Sequence, residues 1–161
     1  ARDRRGLDAV ATADFRALLE TNLIAPFDLA RAAARQMVER GQGRLVFLTS
    51  LAGDFARPGD VLYPGTKAGL SGLLRALAVE LGPKGINVNG IAPGPIATET
   101  NMPLTTDPDF TAMIERNIPL GRWADPAEVA GAAIFLLSDA ASYINGHIVA
   151  VDGGARVRMF S

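Results

Sequence analysis

The sequence predicts an α/β fold in which helices cover both faces of a parallel, doubly wound sheet. Segments with apolar residues at helical spacing alternate with short, continuous apolar runs typical of buried parallel strands. Each run follows a turn that contains glycine, at Gly41-Gln42-Gly43, Gly82–Gly85 and Asn145-Gly146. Strict alternation of helix and strand implies crossover connections and hence a parallel sheet. A length of 161 residues suits a single domain, predicted over residues 1–161.

The first predicted helix runs from Thr12 to about Arg40, with Thr12 as its cap and Asp14 near the positive end of the helix dipole. Leu45–Leu48 is the first strand, because four consecutive apolar residues suit burial on both faces. A second helix is predicted from near Val61 to Leu81, followed by a strand over Ile86–Ile91.

The second half of the chain contains a long connection before its last helix and strand. Residues 92–121 are rich in Pro, Thr and Asp, with one short helix near Phe110–Arg116, and connections of this length are usually functional. Asp125-Pro126-Ala127-Glu128 has the pattern of a capped helix start, and that helix continues to Leu137. The final strand is predicted over His147–Val151.

Composition excludes several kinds of protein. The formal net charge is −1 and the basic residues are scattered, which argues against a nucleic-acid groove. The chain has no cysteine and a single histidine, His147, so disulfides, thiolate chemistry and a His/Cys zinc site are excluded and no metal is expected. We find neither a signal-peptide pattern nor an apolar run of membrane-spanning length, and expect a cytoplasmic protein without a membrane partner.

Tyr63 and Lys67 are the first candidate catalytic pair. At positions i and i+4 they share one face of a helix, and a nearby ammonium group favours the phenolate form of a tyrosine. A tyrosine tuned in this way can exchange a proton with a substrate oxygen. Ser50, at the end of the first strand, offers a hydroxyl for the same oxygen. Lysine is scarce here, with two lysines against fourteen arginines, so chance placement is a weak explanation of the spacing.

Asn22 and Pro26 predict an irregularity in the first helix. Pro26 has no N–H to give to the Asn22 carbonyl, so the helix should kink there and leave that carbonyl able to hold a water molecule. The alternative is a helix break with a structural asparagine. A proton relay from Lys67 through water would favour the first interpretation.

The turn Ala92–Thr98 follows the second strand at the edge where α/β sheets bind ligands. Pro93 and Gly94 would expose peptide groups to a flat, amide-bearing ring, although a plain proline–glycine turn is the commoner meaning of such a pattern. No G-x-S-x-G pattern surrounds Ser50, so a serine hydrolase that uses His147 is not favoured.

Together these residues resemble the catalytic tetrad of the short-chain dehydrogenases/reductases: Asn22, Ser50, Tyr63 and Lys67, with the serine thirteen residues before the tyrosine. The resemblance extends to NL-x-APF at Asn22, NVN-x-IAPGPIAT ending at Thr98, and SDAASYINGH…VDGG. The ARPG and PLGRW-x-DP-x-E segments resemble the branch of gluconate 5-dehydrogenase and 3-oxoacyl reductases.

The resemblance implies a Rossmann-like fold, NAD or NADP as cofactor, and interconversion of a small-molecule secondary alcohol and ketone. Tyr63 would be the general acid/base, Lys67 would lower its pKa and hold the nicotinamide ribose, Ser50 would orient the substrate oxygen, and Asn22 would anchor a water relay. The nicotinamide end would be bound by four residues besides Tyr63 and Lys67, namely Pro93, Gly94, Ile96 and Thr98, and residues 98–119 would form the substrate loop. Family members usually form tetramers, so we expect a homo-oligomer, a tetramer or dimer, through the helices Thr12–Arg40 and Val61–Leu81.

Two departures from the family pattern qualify these expectations. Pro64 directly after Tyr63 is compatible with a helix only if the helix has barely begun, and Gly65-Thr66 replaces the usual alanine–serine. The chain also has no glycine-rich phosphate loop between a strand and a helix. We therefore expect the C-terminal, catalytic portion of a larger NAD(P)-binding domain, with the phosphate-binding portion absent. The alternative is a truncated or non-catalytic chain that binds or assembles without turnover, since an uncovered strand edge promotes association.

Overall fold

The computed structural model describes residues 5–158, and the parts of the predicted domain at 1–4 and 159–161 lie outside that range. Its helices are α1 (Thr12–Leu19), α2 (Ala25–Arg40), α3 (Tyr63–Leu81), α4 (Met102–Thr105), α5 (Pro108–Asn117) and α6 (Pro126–Leu137), and its strands are β1 (Gly43–Leu48), β2 (Ile86–Pro93) and β3 (Ile148–Val151). The strands form one parallel sheet in the order β1-β2-β3. The predicted α/β class and alternation are confirmed.

The sheet is covered on both faces because successive side chains of each strand point to opposite sides. Phe47 and Val88 pack with α2 and α3 in one buried cluster, whereas Ile91 packs with Leu136 of α6 in the other. Leu74 and Leu136 are fully buried, one in each cluster. Burial on both faces explains why the strands read as continuous apolar runs, and it confirms the doubly wound arrangement.

The first predicted helix is interrupted. Between α1 and α2 lies a π-helical segment, Glu20–Ile24, in which the N–H of Ala25 donates to the Glu20 carbonyl. The interruption predicted from Asn22 and Pro26 is thus confirmed. The predicted Thr12 cap is wrong: Ala11 precedes the helix, and its N–H donates to Asp14 at 2.8 Å, so the carboxylate of Asp14 supplies the capping interaction.

Several boundaries and one connection differ from prediction. α3 begins at Tyr63 rather than Val61, β2 continues to Pro93, and β3 begins at Ile148 rather than His147. The connection after β2 contains α4 and a 3₁₀ turn, Glu99–Asn101, besides the predicted short helix. The predicted start of α6 is confirmed by its capping hydrogen bonds.

Among the described residues the sheet has two unpaired outer edges, one on β1 and one on β3. Odd-numbered residues of β1 bond to β2, as in the hydrogen bonds from Gly43 N to Gly85 O and from Thr49 N to Ile91 O. In a parallel ladder, the alternate residues then direct their N–H and C=O groups to the other edge. Leu48 is one of these residues. No helix in residues 5–158 is long and apolar enough to cross a membrane; the cytoplasmic location stays a prediction.

Candidate active site

Tyr63 and Lys67 lie in the first two turns of α3. Tyr63 is the first helical residue and Pro64 follows within the first turn, where a proline sacrifices no intrahelical hydrogen bond. This geometry removes the conflict between Pro64 and a helical Tyr63. Lys67 Nζ lies 5.7 Å from the centre of the Tyr63 ring. The predicted juxtaposition of phenol and ammonium is therefore present.

The Lys67 ammonium group is partly withdrawn from water. Its Nζ donates a hydrogen bond of 2.9 Å to the Leu48 carbonyl, on the unpaired edge of β1. Burial lowers the pKa of Lys67 from its ordinary value, because a desolvated ammonium ion loses hydration energy. A lysine with a lowered pKa releases a proton more readily, as a proton relay requires.

Ser50 lies where β1 turns toward α3. Its Oγ accepts a hydrogen bond of 3.1 Å from Ala52 N, which opens the 3₁₀ turn Leu51–Gly53. A Cβ at Gly53 would lie 3.2 Å from the Lys67 carbonyl carbon, so this turn packs directly against the backbone of α3. The glycine thereby sets the spacing between the serine loop and the lysine helix.

Asn22 contacts α3 through a residue that the sequence did not single out as functional. Its Nδ2 donates to Thr66 Oγ1 at 3.3 Å, and Thr66 Oγ1 donates to the Tyr63 carbonyl at 2.9 Å. Thr66 is fully buried. The hydrogen-bonded chain Asn22–Thr66–Tyr63 connects the π segment to the start of α3. The sequence feature that could have pointed to Thr66 is the Gly65-Thr66 pair before Lys67, which replaces the usual alanine–serine.

The Pro93–Thr98 turn is fixed by backbone hydrogen bonds on both sides. Gly94 N donates to Val151 O, and Ala97 N donates to Ala124 O, each at 2.9 Å. A Cβ at Gly94 would lie 2.8 Å from Asp152 Cα, so only glycine allows this approach between the two chain segments. The turn is thus a rigid feature at the carboxyl end of β2.

A cavity of about 570 Å³ lies at this end of the sheet. Ser50, Pro93 and Gly94 line it together, as the sequence predicted for a shared site. Its lining does not include the other predicted residues: Asn22, Tyr63, Lys67, Ile96 and Thr98. It does include four residues that sequence reasoning did not propose for the site: Arg57, Arg116, Trp123 and Arg158.

A parallel α/β sheet thus carries a serine at one strand end and a tyrosine–lysine pair on the next helix, and comparison with known proteins shows the family of this fold. The chain belongs to the short-chain dehydrogenase/reductase family: a family model described as Enoyl-(Acyl carrier protein) reductase matches residues 2–156. The gluconate 5-dehydrogenase of Gluconobacter oxydans (strain 621H) is 38% identical over 156 residues, covering 97% of this chain and 61% of that protein.

Solved structures give the same result. A gluconate 5-dehydrogenase from Burkholderia cenocepacia J2315, in complex with NADP and tartrate, superimposes with a TM-score of 0.94 at 37% identity, over 98% of this chain and 62% of that one. A 4-hydroxyisoleucine dehydrogenase complexed with NADH gives a TM-score of 0.95 at 31% identity, over 99% and 66%. The predicted family, its gluconate 5-dehydrogenase branch and the Rossmann fold are confirmed. The chain spans about three fifths of the length of the curated relative, at 61%.

Proposed function

We propose that this chain is the C-terminal, catalytic portion of an NAD(P)-dependent oxidoreductase that interconverts a secondary alcohol and a ketone. The observation that carries the proposal is the placement of Lys67 Nζ 5.7 Å from the Tyr63 ring at the start of α3, next to the Ser50 turn. Relatives crystallised with NADP or NADH support the cofactor class.

Each of the chain's own groups has a role that its contacts support. Ser50 Oγ accepts from Ala52 N, so its hydroxyl proton remains to be donated to a substrate oxygen. Tyr63 exchanges the proton of that oxygen, and the Lys67 ammonium group lies 5.7 Å from the centre of its ring. Asn22 is a positioning residue whose Nδ2 donates to Thr66, the residue before Lys67 in the chain. In this proposal the carbonyl of Asn22 anchors a water relay to Lys67.

The residues present fit the nicotinamide end of the cofactor. The rigid Pro93–Gly94 backbone and Ser50 line one cavity of about 570 Å³, which has room for a flat ring and a small substrate. Pro93, Gly94, Ile96 and Thr98 would hold that end of the cofactor, and Lys67 the ribose. When bound, NAD(P) supplies the hydride acceptor or donor.

The phosphate-binding part of the domain is proposed to pair with the unpaired edge of β1, where alternate N–H and C=O groups of the strand lack a partner strand among the described residues. The competing candidate, a chain that only binds or assembles, draws on the same edge, because exposed strand edges promote association. We also propose a homo-oligomer, a dimer or tetramer, through α2 and α3, which expose Leu29 and Val79. Light scattering on the full-length protein measures the oligomeric state.

Turnover separates the enzyme from the binding protein. Oxidation of NADH and NADPH with a panel of ketones should be measured on the full-length natural protein and on Tyr63→Phe. We expect Tyr63→Phe to lose activity by about 10²–10⁴-fold, the usual contribution of a general acid. Tyr143, the only other tyrosine, is fully exposed, so Tyr143→Phe is the matched control and should keep the parent rate. Equal rates for Tyr63→Phe and the parent would refute the proposal.

A further inference from the structure

The cavity next to Ser50 extends well beyond the predicted catalytic groups, and its far wall is apolar. α5 contributes Phe110, Met113, Ile114 and Asn117, which recur at the spacing of one helix face. Leu104 of α4, Phe55 and Trp123 complete this wall. A ligand body placed here meets mainly carbon surface.

Two side-chain amides of the cavity already donate to backbone carbonyls, whereas the buried Nε1–H of Trp123 has no partner among the described residues. Asn101 Nδ2 donates to the Ile96 carbonyl at 2.9 Å, and Asn117 Nδ2 donates to the Met113 carbonyl at 2.8 Å. The hydroxyl groups of a polyol would therefore meet few complementary donors and acceptors on this wall. Burying hydroxyls without partners costs free energy.

The charged side chains that line the cavity are all arginines: Arg57, Arg116 and Arg158. They come from three separate segments, namely the loop after β1, the end of α5 and the C-terminal turn. Within residues 5–158, no acidic side chain lines the cavity. Its electrostatic character is therefore positive.

Nearby carboxylates compensate only part of this charge. Arg57 Nε lies 3.9 Å from Oδ2 of the buried Asp60, which offsets the charge of Arg57. Asp54, which stands in the chain next to the lining residue Phe55, is paired with Arg156, and neither of the two lines the cavity. Neither Arg116 nor Arg158 forms an ion pair with another residue of the described chain. Within residues 5–158, two guanidinium groups at the cavity therefore have no carboxylate partner.

We propose that this cavity selects a substrate that carries a carboxylate on a mainly apolar carbon body, with Arg116 and Arg158 binding the carboxylate. The inference rests on the proposed oxidoreductase function, whose substrate it defines. A guanidinium group presents paired N–H donors that match the two oxygens of a carboxylate. The apolar wall favours an oxo acid with an alkyl body over a polyhydroxylated sugar acid.

Matched ketones test the proposal. The rate constant kcat/KM of the full-length enzyme should be measured with oxo acids of six to eight carbons, with their methyl esters, and with 5-keto-D-gluconate. We expect the best oxo acid to exceed both its ester and 5-keto-D-gluconate by about tenfold or more, as charge-assisted hydrogen bonds commonly contribute. In the double variant Arg116→Gln/Arg158→Gln the ratio of acid to ester should fall toward about 1.

The control is Arg75→Gln, an exposed arginine of α3 that does not line the cavity, which should keep the parent ratio. Turnover of acid and ester at equal kcat/KM, or an unchanged ratio in the double variant, overturns the carboxylate site and leaves the proposed oxidoreductase function intact. A preference for 5-keto-D-gluconate over every oxo acid overturns the apolar body.

If no ketone is turned over, the proposed function fails, and the carboxylate site is then tested by measuring ligand binding. Trp123 is the single tryptophan of these 161 residues and lines the cavity, so the part of the fluorescence that Trp123→Phe removes reports occupancy. Saturable quenching by the oxo acid, absent with its ester and lost in the double variant, supports the site. Quenching that is absent, or equal for acid and ester, overturns it.

Discussion

Removing the Thr66 hydroxyl should weaken the link between the π segment and α3. In Thr66→Val, the fully buried side chain keeps its shape but loses the donation to the Tyr63 carbonyl and the acceptance from Asn22 Nδ2. Each hydrogen bond contributes about 1 kcal/mol net, and the added methyl group recovers part of that loss. We therefore expect a loss of about 1–2 kcal/mol in the free energy of unfolding, or roughly 2–8 °C in Tm.

The assay is a double-mutant cycle by urea denaturation on the parent, Asn22→Ala, Thr66→Val and the double variant. Because the two side chains share a hydrogen bond of 3.3 Å, their effects should be non-additive by about 1 kcal/mol. Thr66→Ser is the matched control, since it keeps the hydroxyl and should retain the coupling with Asn22. Thr21→Val removes an exposed hydroxyl bonded to Ala17 O and should change stability by less than about 0.5 kcal/mol.

Additive effects of Asn22→Ala and Thr66→Val, within about 0.3 kcal/mol, would refute the reasoning. The hydrogen bond would then make no energetic contribution, and Asn22 would need another means of positioning. A cycle in which Thr66→Ser also abolishes the coupling would assign it to packing of the methyl group instead.

Three further predictions follow from other contacts. Glu128 accepts hydrogen bonds from Arg122 and from Asp125 N, and these bonds lower its pKa from 4.5 to about 2. Compared with Glu128→Gln, the parent should therefore be more stable above about pH 4.5 and should lose that advantage as the pH falls toward 2. Acid titrations followed by circular dichroism measure the difference. A constant difference across that range would contradict it. The lowered pKa of Lys67 means that the folded state binds fewer protons than the unfolded state between the lowered pKa and about 10.4. The stability of the parent should therefore rise with pH toward about 10.4 relative to that of Lys67→Met. Parallel pH profiles for the two proteins would argue against a desolvated ammonium group. Gly90→Ala would place a Cβ 2.6 Å from Leu74 Cδ1 in the core and should cost about 1–3 kcal/mol in urea denaturation, whereas Gly72→Ala, with open space around it, should not destabilise.

Periodicity predicted the helices and strands well because the sheet is buried on both faces and its turns contain glycine. Gly41 and Gly85 adopt positive φ of 66° and 79°, so these glycines mark true element ends. The Asp125–Glu128 pattern was equally reliable, because the carboxylates of both residues satisfy backbone donors at one helix start. These features depend on residues that are close together in the chain, so they can be predicted from the sequence.

Features that depend on distant contacts were not predictable. Thr66 became important only because Asn22, 44 positions away, lies against it. The partner of Lys67, the Leu48 carbonyl, depends on which edge of β1 remains unpaired. In the sequence, Arg116 and Arg158 have no feature that distinguishes them from ordinary surface arginines. Only the folded structure shows that both line one cavity.

The π segment at Glu20–Ile24 makes the region from Thr12 to Arg40 two helices of different angular phase. Each residue of an α-helix advances the chain by about 100°, and the wider turn of a π segment takes up one extra residue between the two α-helices. A one-residue deletion within the segment would restore regular α-helical hydrogen bonds there, and Phe15, whose ring lies 3.7 Å from where a Cβ of Gly65 would stand, would keep its place against α3. The same deletion inside α1 or α2 would instead turn one half of that helix by about 100° against the other, so the π segment should tolerate the loss of one residue better than its neighbours.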